Sequence, residues 1–211
     1  MVESRWAPEI IYQDDHLLAV NKPSGLLSVP GKGPELRDSL LVRLEAWNPA
    51  VKLVHRLDRD TSGILVFAKS LEIQRALSRQ FELRTNQKRY QALVEGELTG
   101  SGEITVPVRY DPTRPPLHIA DPEFPKSAQT FYEVIGKYGA HTRVALKPVT
   151  GRSHQLRVHM QYLGHPILGD QLYATEQGIA AAPRLCLHAE ALAIQHPVSG
   201  ELLSFLCPVP F

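Results

Sequence analysis

The chain has 211 residues, of which 43% are hydrophobic and 21% are charged, and its formal net charge is +1. This balance is typical of a folded globular protein and argues against an intrinsically disordered chain. The sequence contains neither a run of about 20 apolar residues that could cross a bilayer nor a signal peptide at its start. We therefore expect a cytoplasmic protein without a membrane partner.

Apolar periodicity and turn signals predict more strands than helices. The predicted strands are residues 9–12, 16–21, 51–54, 64–68, 89–96, 102–107, 129–137, 142–148, 185–194 and 201–206. The predicted helices are residues 36–47, 71–83 and 153–163. Residues 111–125 contain five prolines and are predicted to form an irregular loop. Because short turns join most strands, we predict an α+β fold with a mixed, largely antiparallel sheet in a single domain over residues 1–211; a doubly wound parallel fold is the weaker alternative.

Two segments are rich in positive charge although the net charge is close to zero. Residues 73–91 contain five cationic side chains against one acid, and residues 141–169 contain three arginines, a lysine and four histidines without any acid. The cations of the first segment are Arg75, Arg79, Arg84, Lys88 and Arg89. Either segment alone could be a solvated surface, but together they favour a surface that faces nucleic-acid phosphates.

The polar segment 55–63 reads HRLDRDTSG and is the strongest candidate for a site, because it joins two predicted strands. Its acids fit the first half of a calcium-binding loop, but Lys69 stands where that loop needs a bidentate glutamate. They also fit part of an aspartyl-phosphate motif, in which one acid attacks phosphorus and the other transfers a proton. Spacing alone also leaves open that Asp58 or Asp60 only caps a turn.

Three segments together resemble the RluA family of pseudouridine synthases. Residues 55–63 are similar to the family signature HRLDxxTSG, residues 88–96 (KRYQALVEG) to its strand K-x-Y-x-A-x-V-x-G, and residues 150–159 (TGRSHQLRVH) to its third motif. Further similarity is found at residues 12–15, 20–26 and 164–170. The resemblance covers most of the chain. It implies the pseudouridine synthase catalytic fold, with flanking helices and a central RNA-binding cleft, and no S4-like RNA-binding domain.

The resemblance also implies a reaction and the residues that perform it. Uridine becomes pseudouridine when the bond from N1 to the ribose breaks, the uracil turns and its C5 joins the same ribose carbon, and no cofactor is needed. By resemblance, Asp58 is the catalytic carboxylate, Tyr90 stacks on the target uracil and Arg157 pairs with the aspartate. The sequence leaves open whether Asp58 attacks the ribose carbon, attacks the uracil ring or removes a ribose proton.

The other expected site residues hold the RNA. A uridine within a stacked loop must be flipped out before it can react, and Arg56, which matches a family arginine, is the candidate that fills the gap. The remaining expected RNA contacts are His55, Arg89, Arg152 and His154. Within the family, the resemblance is to dual-specificity enzymes that act on a stem-loop of large-subunit (23S) ribosomal RNA and on the tRNA anticodon stem-loop. The sequence leaves open whether the target is the ribosomal RNA, the tRNA or both, and a relative specific for another tRNA position is the alternative. We therefore expect a monomer that binds structured RNA and has no obligate protein partner.

The sequence also bears on three alternatives to an RNA isomerase: a metalloprotein, a non-catalytic RNA-binding protein and a phosphate-transferring hydrolase. A metalloprotein is not expected, because His154 and His159 lack acidic or cysteine neighbours. Cys186 and Cys207 have no CxxC spacing and are expected in the core. A non-catalytic RNA-binding protein and a phosphate-transferring hydrolase stay open as rivals, and loss of pseudouridine formation without Asp58 would separate both from the isomerase.

Overall fold

The computed structural model describes residues 7–211, and the chain divides into two compact units. The first unit runs to Gln87 and includes Glu190–Pro208, and the second comprises Lys88–Ala189 and Val209–Phe211. Each unit has its own cluster of buried apolar side chains. That both units belong to one domain stays a prediction.

Residues 7–211 contain twelve strands and four helices. The strands are β1 (Glu9–Gln13), β2 (Leu17–Lys22), β3 (Lys52–Leu53), β4 (Ser62–Ala68), β5 (Gln87–Val94), β6 (Ser101–Ile104), β7 (Val108–Tyr110), β8 (His118–Ala120), β9 (Thr130–Tyr138), β10 (His141–Pro148), β11 (Leu187–Gln195) and β12 (Leu202–Leu206). The helices are α1 (Leu40–Trp47), α2 (Leu71–Glu82), α3 (Gln155–Tyr162) and α4 (Glu176–Ala180). None of these helices is long and apolar enough to span a membrane.

The first unit is a mostly antiparallel sheet packed against α2. Its strands follow the order β1, β2, β4 and β11, with β3 also paired to β4 and β12 paired to β11. All seven residues of β4 are buried, which fits the apolar run from Ile64 to Ala68. Helix α2 begins where Ser70 accepts a hydrogen bond from the backbone N–H of Ile73 at 3.2 Å. It packs Ile73 and Leu77 into the same cluster as β4.

The second unit is a sheet with the order β5, β10, β9 and β6, where β10 pairs antiparallel with both β5 and β9. Helix α3 packs Leu156 and Met160 against this sheet. The short strands β7 and β8 form a separate antiparallel pair. The mixed, largely antiparallel α+β sheet predicted from the sequence is therefore confirmed.

Three local predictions need correction. Helix α1 starts at Leu40 and not at residue 36, because the hydroxyl of Ser39 caps it by accepting from the N–H of Val42. The proline-rich segment 111–125 is not irregular throughout, since it contains β8, whose residues pair with β7. Helix α4, a five-residue helix capped by Thr175, was not predicted.

Candidate active site

The HRLDRDTSG segment connects β3 to β4 and ends in the first two residues of β4, as predicted. Its middle is fixed from one side by Ser28. The Ser28 hydroxyl donates to the carbonyl oxygen of Leu57 at 2.7 Å and accepts from the N–H of Leu57 at 3.1 Å. Both backbone polar groups of the residue before Asp58 are thus held by one side chain, and Leu57 itself is buried.

Lys22 fixes the same segment from the other side. Its side chain is fully buried, and its ammonium donates to three backbone carbonyl oxygens, those of Pro23, Leu26 and Arg59, at 2.9, 2.7 and 2.8 Å. Burying an ammonium is costly unless its protons meet acceptors. Here three acceptors are provided, and one of them belongs to the residue that follows Asp58.

Two more contacts complete this clamp on the backbone around Asp58. The N–H of Gly25 donates to the carbonyl of Arg59 at 3.0 Å, and the Ser24 hydroxyl donates to the carbonyl of Asp60 at 2.7 Å. Residues 22–28 therefore hold the chain on both sides of a half-buried Asp58. Residues 20–26 show family similarity but no predicted role in holding this loop, although a lysine at the end of an apolar strand is a usable signal for one.

The two acids of the segment differ in their surroundings. Asp60 forms an ion pair with its neighbour Arg59, at 3.1 Å between Oδ1 and Nε, and the arginine is mostly exposed. Exposed pairs of this kind contribute at most about 1 kcal/mol. Asp60 thus takes part in a surface ion pair, whereas Asp58 lies between the clamped residues Leu57 and Arg59.

His55 and Arg56 lie just before the clamped residues. The Nε2 atom of His55 accepts from the N–H of Val66 in β4 at 3.1 Å, and its ring stacks on Phe81 of α2 with centroids 4.4 Å apart. These contacts give His55 a structural role in the first unit, and its expected contact with RNA stays a prediction. Arg56 is exposed, as an RNA-contacting side chain must be.

The second unit carries Arg89 and Tyr90 on β5. Tyr90 pairs in register with the fully buried Leu146 of β10 and packs against the hydrophobic cluster that includes α3. Because side chains alternate between the faces of a strand, Arg89 points to the opposite face. These neighbouring residues, both predicted to serve RNA binding, therefore serve different faces of the sheet.

The third motif leads into α3, and Arg152 and His154 lie just before the helix begins. Gln155, itself buried, accepts at Oε1 from the N–H of Arg152 at 3.0 Å and from the hydroxyl of Thr150 at 2.7 Å. Arg152 also donates from Nε to the carbonyl of Ser127 at 3.1 Å. His154 has φ 55° and ψ 14°, the left-handed conformation, which is uncommon for a residue other than glycine.

Arg157 lies one turn into α3 and forms a buried, bidentate ion pair with Asp170. The Nε and Nη2 atoms of Arg157 donate to the two carboxylate oxygens at 2.8 and 2.7 Å, and both side chains are almost fully buried. The family resemblance predicts that Arg157 pairs with Asp58, and it gives Asp170 no role. That pairing joins residues of different units and stays a prediction.

Gly169 allows Asp170 to reach this position. Its φ is +71°, and a Cβ added to it would lie 1.9 Å from the carbonyl oxygen of Arg184. Glycine is therefore required here both by its backbone conformation and by space.

His159 also belongs to α3, but it is a core residue. Its Nε2 lies 2.9 Å from the carbonyl oxygen of Val106 and its Nδ1 lies 2.9 Å from the hydroxyl of Thr130. Burial lowers the pKa of His159 below its usual value, although the carbonyl of Val106 opposes this shift. Among residues 7–211, no group of three or more histidine, cysteine or acidic side chains could hold a metal ion.

The expected site residues thus fall into two sets. The first unit holds His55, Arg56 and Asp58 on its clamped loop. The second unit holds Arg89, Tyr90, Arg152, His154 and Arg157. The first set offers a carboxylate on a restrained backbone, and the second offers an aromatic ring and a fixed guanidinium, which are the groups that the expected isomerisation requires.

Comparison with protein families and solved structures places this arrangement among known proteins. Residues 16–162 match the family described as RNA pseudouridylate synthase. Over its whole length the chain is similar to the solved structure titled "Human RNA Pseudouridylate Synthase Domain Containing 1", with a TM-score of 0.83 and 31% identity over 100% of this chain and 87% of that one. For "Human RNA Pseudouridylate Synthase Domain Containing 4" the TM-score is 0.74, with 27% identity over 95% and 88% of the two chains.

Curated bacterial proteins are more similar still in sequence. The protein named dual-specificity RNA pseudouridine synthase RluA is 50% identical to this chain in Escherichia coli, over 96% of this chain and 93% of the relative. Its counterpart in Pasteurella multocida is 49% identical over 96% and 94% of the two chains. The identity is close to one half and runs through nearly the full length of both proteins, so the chain belongs to the RluA family of RNA pseudouridine synthases, which are isomerases.

Proposed function

We propose that this pseudouridine synthase modifies two RNAs, a stem-loop of 23S ribosomal RNA and the tRNA anticodon stem-loop, with Asp58 as its catalytic carboxylate. The proposal rests on a sequence identity of about 50%, over 96% of this chain, to relatives named dual-specificity RNA pseudouridine synthase. The HRLDRDTSG loop, whose backbone is clamped on both sides of Asp58, supports the choice of this residue.

The reaction needs a charged group, a holder for the detached uracil and a proton acceptor, and no cofactor. An aspartate is ionised at neutral pH and can act as a nucleophile or a base, which is the part assigned to Asp58. Tyr90 stacks on the uracil and keeps the ring in place while it turns, a contact worth roughly 1 to 3 kcal/mol. Arg157 supplies a fixed cation that acts on the same uridine.

The target nucleotide is flipped out of its stem-loop, at a cost of a few kcal/mol. Arg56 is proposed to stack in the gap that it leaves, because a guanidinium is planar and Arg56 is exposed. Arg152, His154 and Arg89 are proposed to contact the RNA backbone. Arg75 and Arg79 join them, since both lie exposed on α2 without an ion pair within the described chain. The enzyme is proposed to act as a cytoplasmic monomer without a protein partner.

The experiment compares Asp58→Ala with Asp60→Ala on transcripts of both stem-loops. We expect Asp58→Ala to lose at least about 1,000-fold in pseudouridine formation while binding RNA normally, because the carboxylate is assigned to the reaction and Lys22, Ser24 and Ser28 hold the backbone around it. Asp60→Ala is the matched control and keeps its activity. Full activity of Asp58→Ala would overturn the assignment, and magnesium-dependent phosphate release that requires both acids would indicate a hydrolase.

Mapping pseudouridines in cells that lack this protein tests the dual target. Loss of one pseudouridine in each of the two RNAs is the expected result. Loss in only one of the two RNAs would contradict dual specificity and leave the isomerase activity standing.

A further inference from the structure

The turn after Asp170 supplies a second contact to Arg157. Besides the ion pair with Asp170, the guanidinium carbon of Arg157 lies 5.0 Å from the ring centroid of Tyr173. The turn is closed by a hydrogen bond from the N–H of Ala174 to the carbonyl of Asp170 at 3.1 Å. A carboxylate on the edge and an aromatic face together restrict the guanidinium more than either contact alone.

The hydroxyl of Tyr173 connects to two further elements of the second unit. It accepts from the backbone N–H of His118 in β8 at 2.9 Å, and it lies 2.7 Å from Nδ1 of His154. A phenol oxygen can accept one hydrogen bond while donating its own proton. The hydroxyl can therefore orient the imidazole of His154 while it is itself held by β8.

His154 is a residue that needs such support. Its left-handed backbone conformation is strained for a residue other than glycine and persists only when the surroundings hold it. As the N-cap residue that precedes α3, it makes no side-chain cap hydrogen bond to the helix. Its ring instead lies edge-on to Tyr173, with centroids 5.6 Å apart, and close to the ring of His118 at 4.7 Å.

We propose that Tyr173 is a positioning residue for the isomerase reaction. Its ring fixes Arg157 and its hydroxyl fixes His154, so one side chain sets the cation assigned to the reacting uridine and a group assigned to RNA binding. The proposal rests on the proposed function, in which Arg157 and His154 meet the substrate. It adds a residue outside the three motifs to the machinery of the site.

Tyr173 also packs with Val108, Ala128 and Val158 in a small buried cluster, so a purely structural role must be separated from positioning. Tyr173→Phe keeps the ring and the packing and removes only the hydroxyl. Tyr173→Leu removes the ring as well. Tyr162→Phe, at the exposed end of α3, removes a hydroxyl outside the network and is the matched control.

The test measures single-turnover rates at saturating RNA, together with RNA affinity and thermal unfolding. We expect Tyr173→Phe to slow the reaction about tenfold, as for the loss of one oriented hydrogen bond. The unfolding temperature should fall by no more than about 4 °C, because the N–H of His118 loses its acceptor, and the RNA dissociation constant should stay within about threefold of the normal value. Tyr173→Leu should slow it about 100-fold through the misplaced guanidinium. Tyr162→Phe should behave as the unmodified enzyme.

A double-mutant cycle with His154→Asn identifies the group through which the hydroxyl acts. Asparagine tolerates the left-handed conformation but lacks the imidazole, so adding Tyr173→Phe to it should change the rate less than about twofold. Independent effects of the two substitutions, or a normal rate for Tyr173→Phe, would overturn the proposal. Equal rates for Tyr173→Phe and Tyr173→Leu would overturn the part assigned to the ring. Failure of the proposed function itself would be seen separately, as full activity of the Asp58→Ala variant.

Discussion

The two units hold their functional residues in different ways. In the first unit, Lys22, Ser24 and Ser28 bind the main chain around Asp58. In the second unit, Asp170 and Tyr173 bind the side chain of Arg157 itself. A loop has no intrinsic rigidity, so its backbone must be tied down, whereas a helix already fixes the backbone and only the long side chain must be restrained.

This difference predicts which substitutions each unit tolerates. Hydrogen bonds to carbonyl oxygens do not depend on the side chains of the residues that carry those oxygens. The identity of Arg59 or Asp60 should therefore matter little to the clamp around Asp58. In the second unit every contact to Arg157 depends on a particular side chain, so the ion pair should be the most sensitive point of the comparison.

The largest expected effect is that of Asp170→Asn. Removing one partner of a buried ion pair leaves an uncompensated charge, and we expect the free energy of unfolding to fall by about 3 to 5 kcal/mol. Urea unfolding at neutral pH measures it. Asp121→Asn, which breaks the more exposed ion pair of Asp121 with Arg109, is the control and should lose less than about 1 kcal/mol. Equal losses in the two variants would contradict the special position of Arg157.

A smaller effect is expected for Lys22→Met, which keeps the apolar stem and removes the ammonium. Three backbone carbonyl groups lose a charged donor, so the free energy of unfolding should fall by about 2 to 3 kcal/mol, and catalysis should fall further because the backbone beside Asp58 is released. Lys52→Met, which removes an exposed ammonium 3.3 Å from the carbonyl of Pro49, should change neither quantity. A normal reaction rate in Lys22→Met would show that catalysis does not depend on this clamp.

The smallest expected effect concerns pH. Because burial lowers the pKa of His159 from 6.5, the unfolded chain binds a proton at this position at a higher pH than the folded chain does. Its contribution to stability is therefore complete above pH 6.5 and is lost as the pH falls toward the lowered value. Urea unfolding at pH 7.5 and 5.5 should show a smaller acid-induced loss in His159→Gln than in the unmodified protein.

His165→Gln is the control for this pH experiment. His165 lies in the same unit and is half-buried, with Nδ1 at 2.7 Å from the carbonyl of Glu95. A smaller acid-induced loss in His159→Gln than in both His165→Gln and the unmodified chain would assign the effect to the buried imidazole of His159. An unchanged pH dependence in His159→Gln would mean that another group controls acid stability in the second unit.

Local signals were sufficient for much of the fold. Ser70 and the apolar face that follows it predicted α2, and the alternation of residues 129–148 predicted β9 and β10, all of which are confirmed. Residues 111–125 show the limit of such signals. Their prolines indicate a loop, yet β8 forms because the neighbouring β7 provides a pairing partner, and tertiary pairing is not visible in a local window.

The same limit applied to the candidate site. Family motifs identified the Asp58 loop, the Tyr90 strand and the start of α3 in the sequence. They could not identify Asp170 as the partner of Arg157, because the two residues lie thirteen positions apart and meet only through the turn of the chain after α3. Lys22 was missed for a similar reason, since one of the three carbonyl groups that accept from its buried ammonium belongs to Arg59, which is 37 positions away.

The glycine before Asp170 extends the comparison to sequence variation. Gly169 has no side chain that could bind, donate or react, yet any other residue would collide with the carbonyl oxygen of Arg184. A saturation-mutagenesis screen for activity would accordingly rank position 169 with the reactive positions. Intolerance to substitution therefore identifies positions that the backbone geometry requires as well as positions that react. The two kinds of position are distinguished by whether the residue has a group that can bind RNA or take part in the reaction.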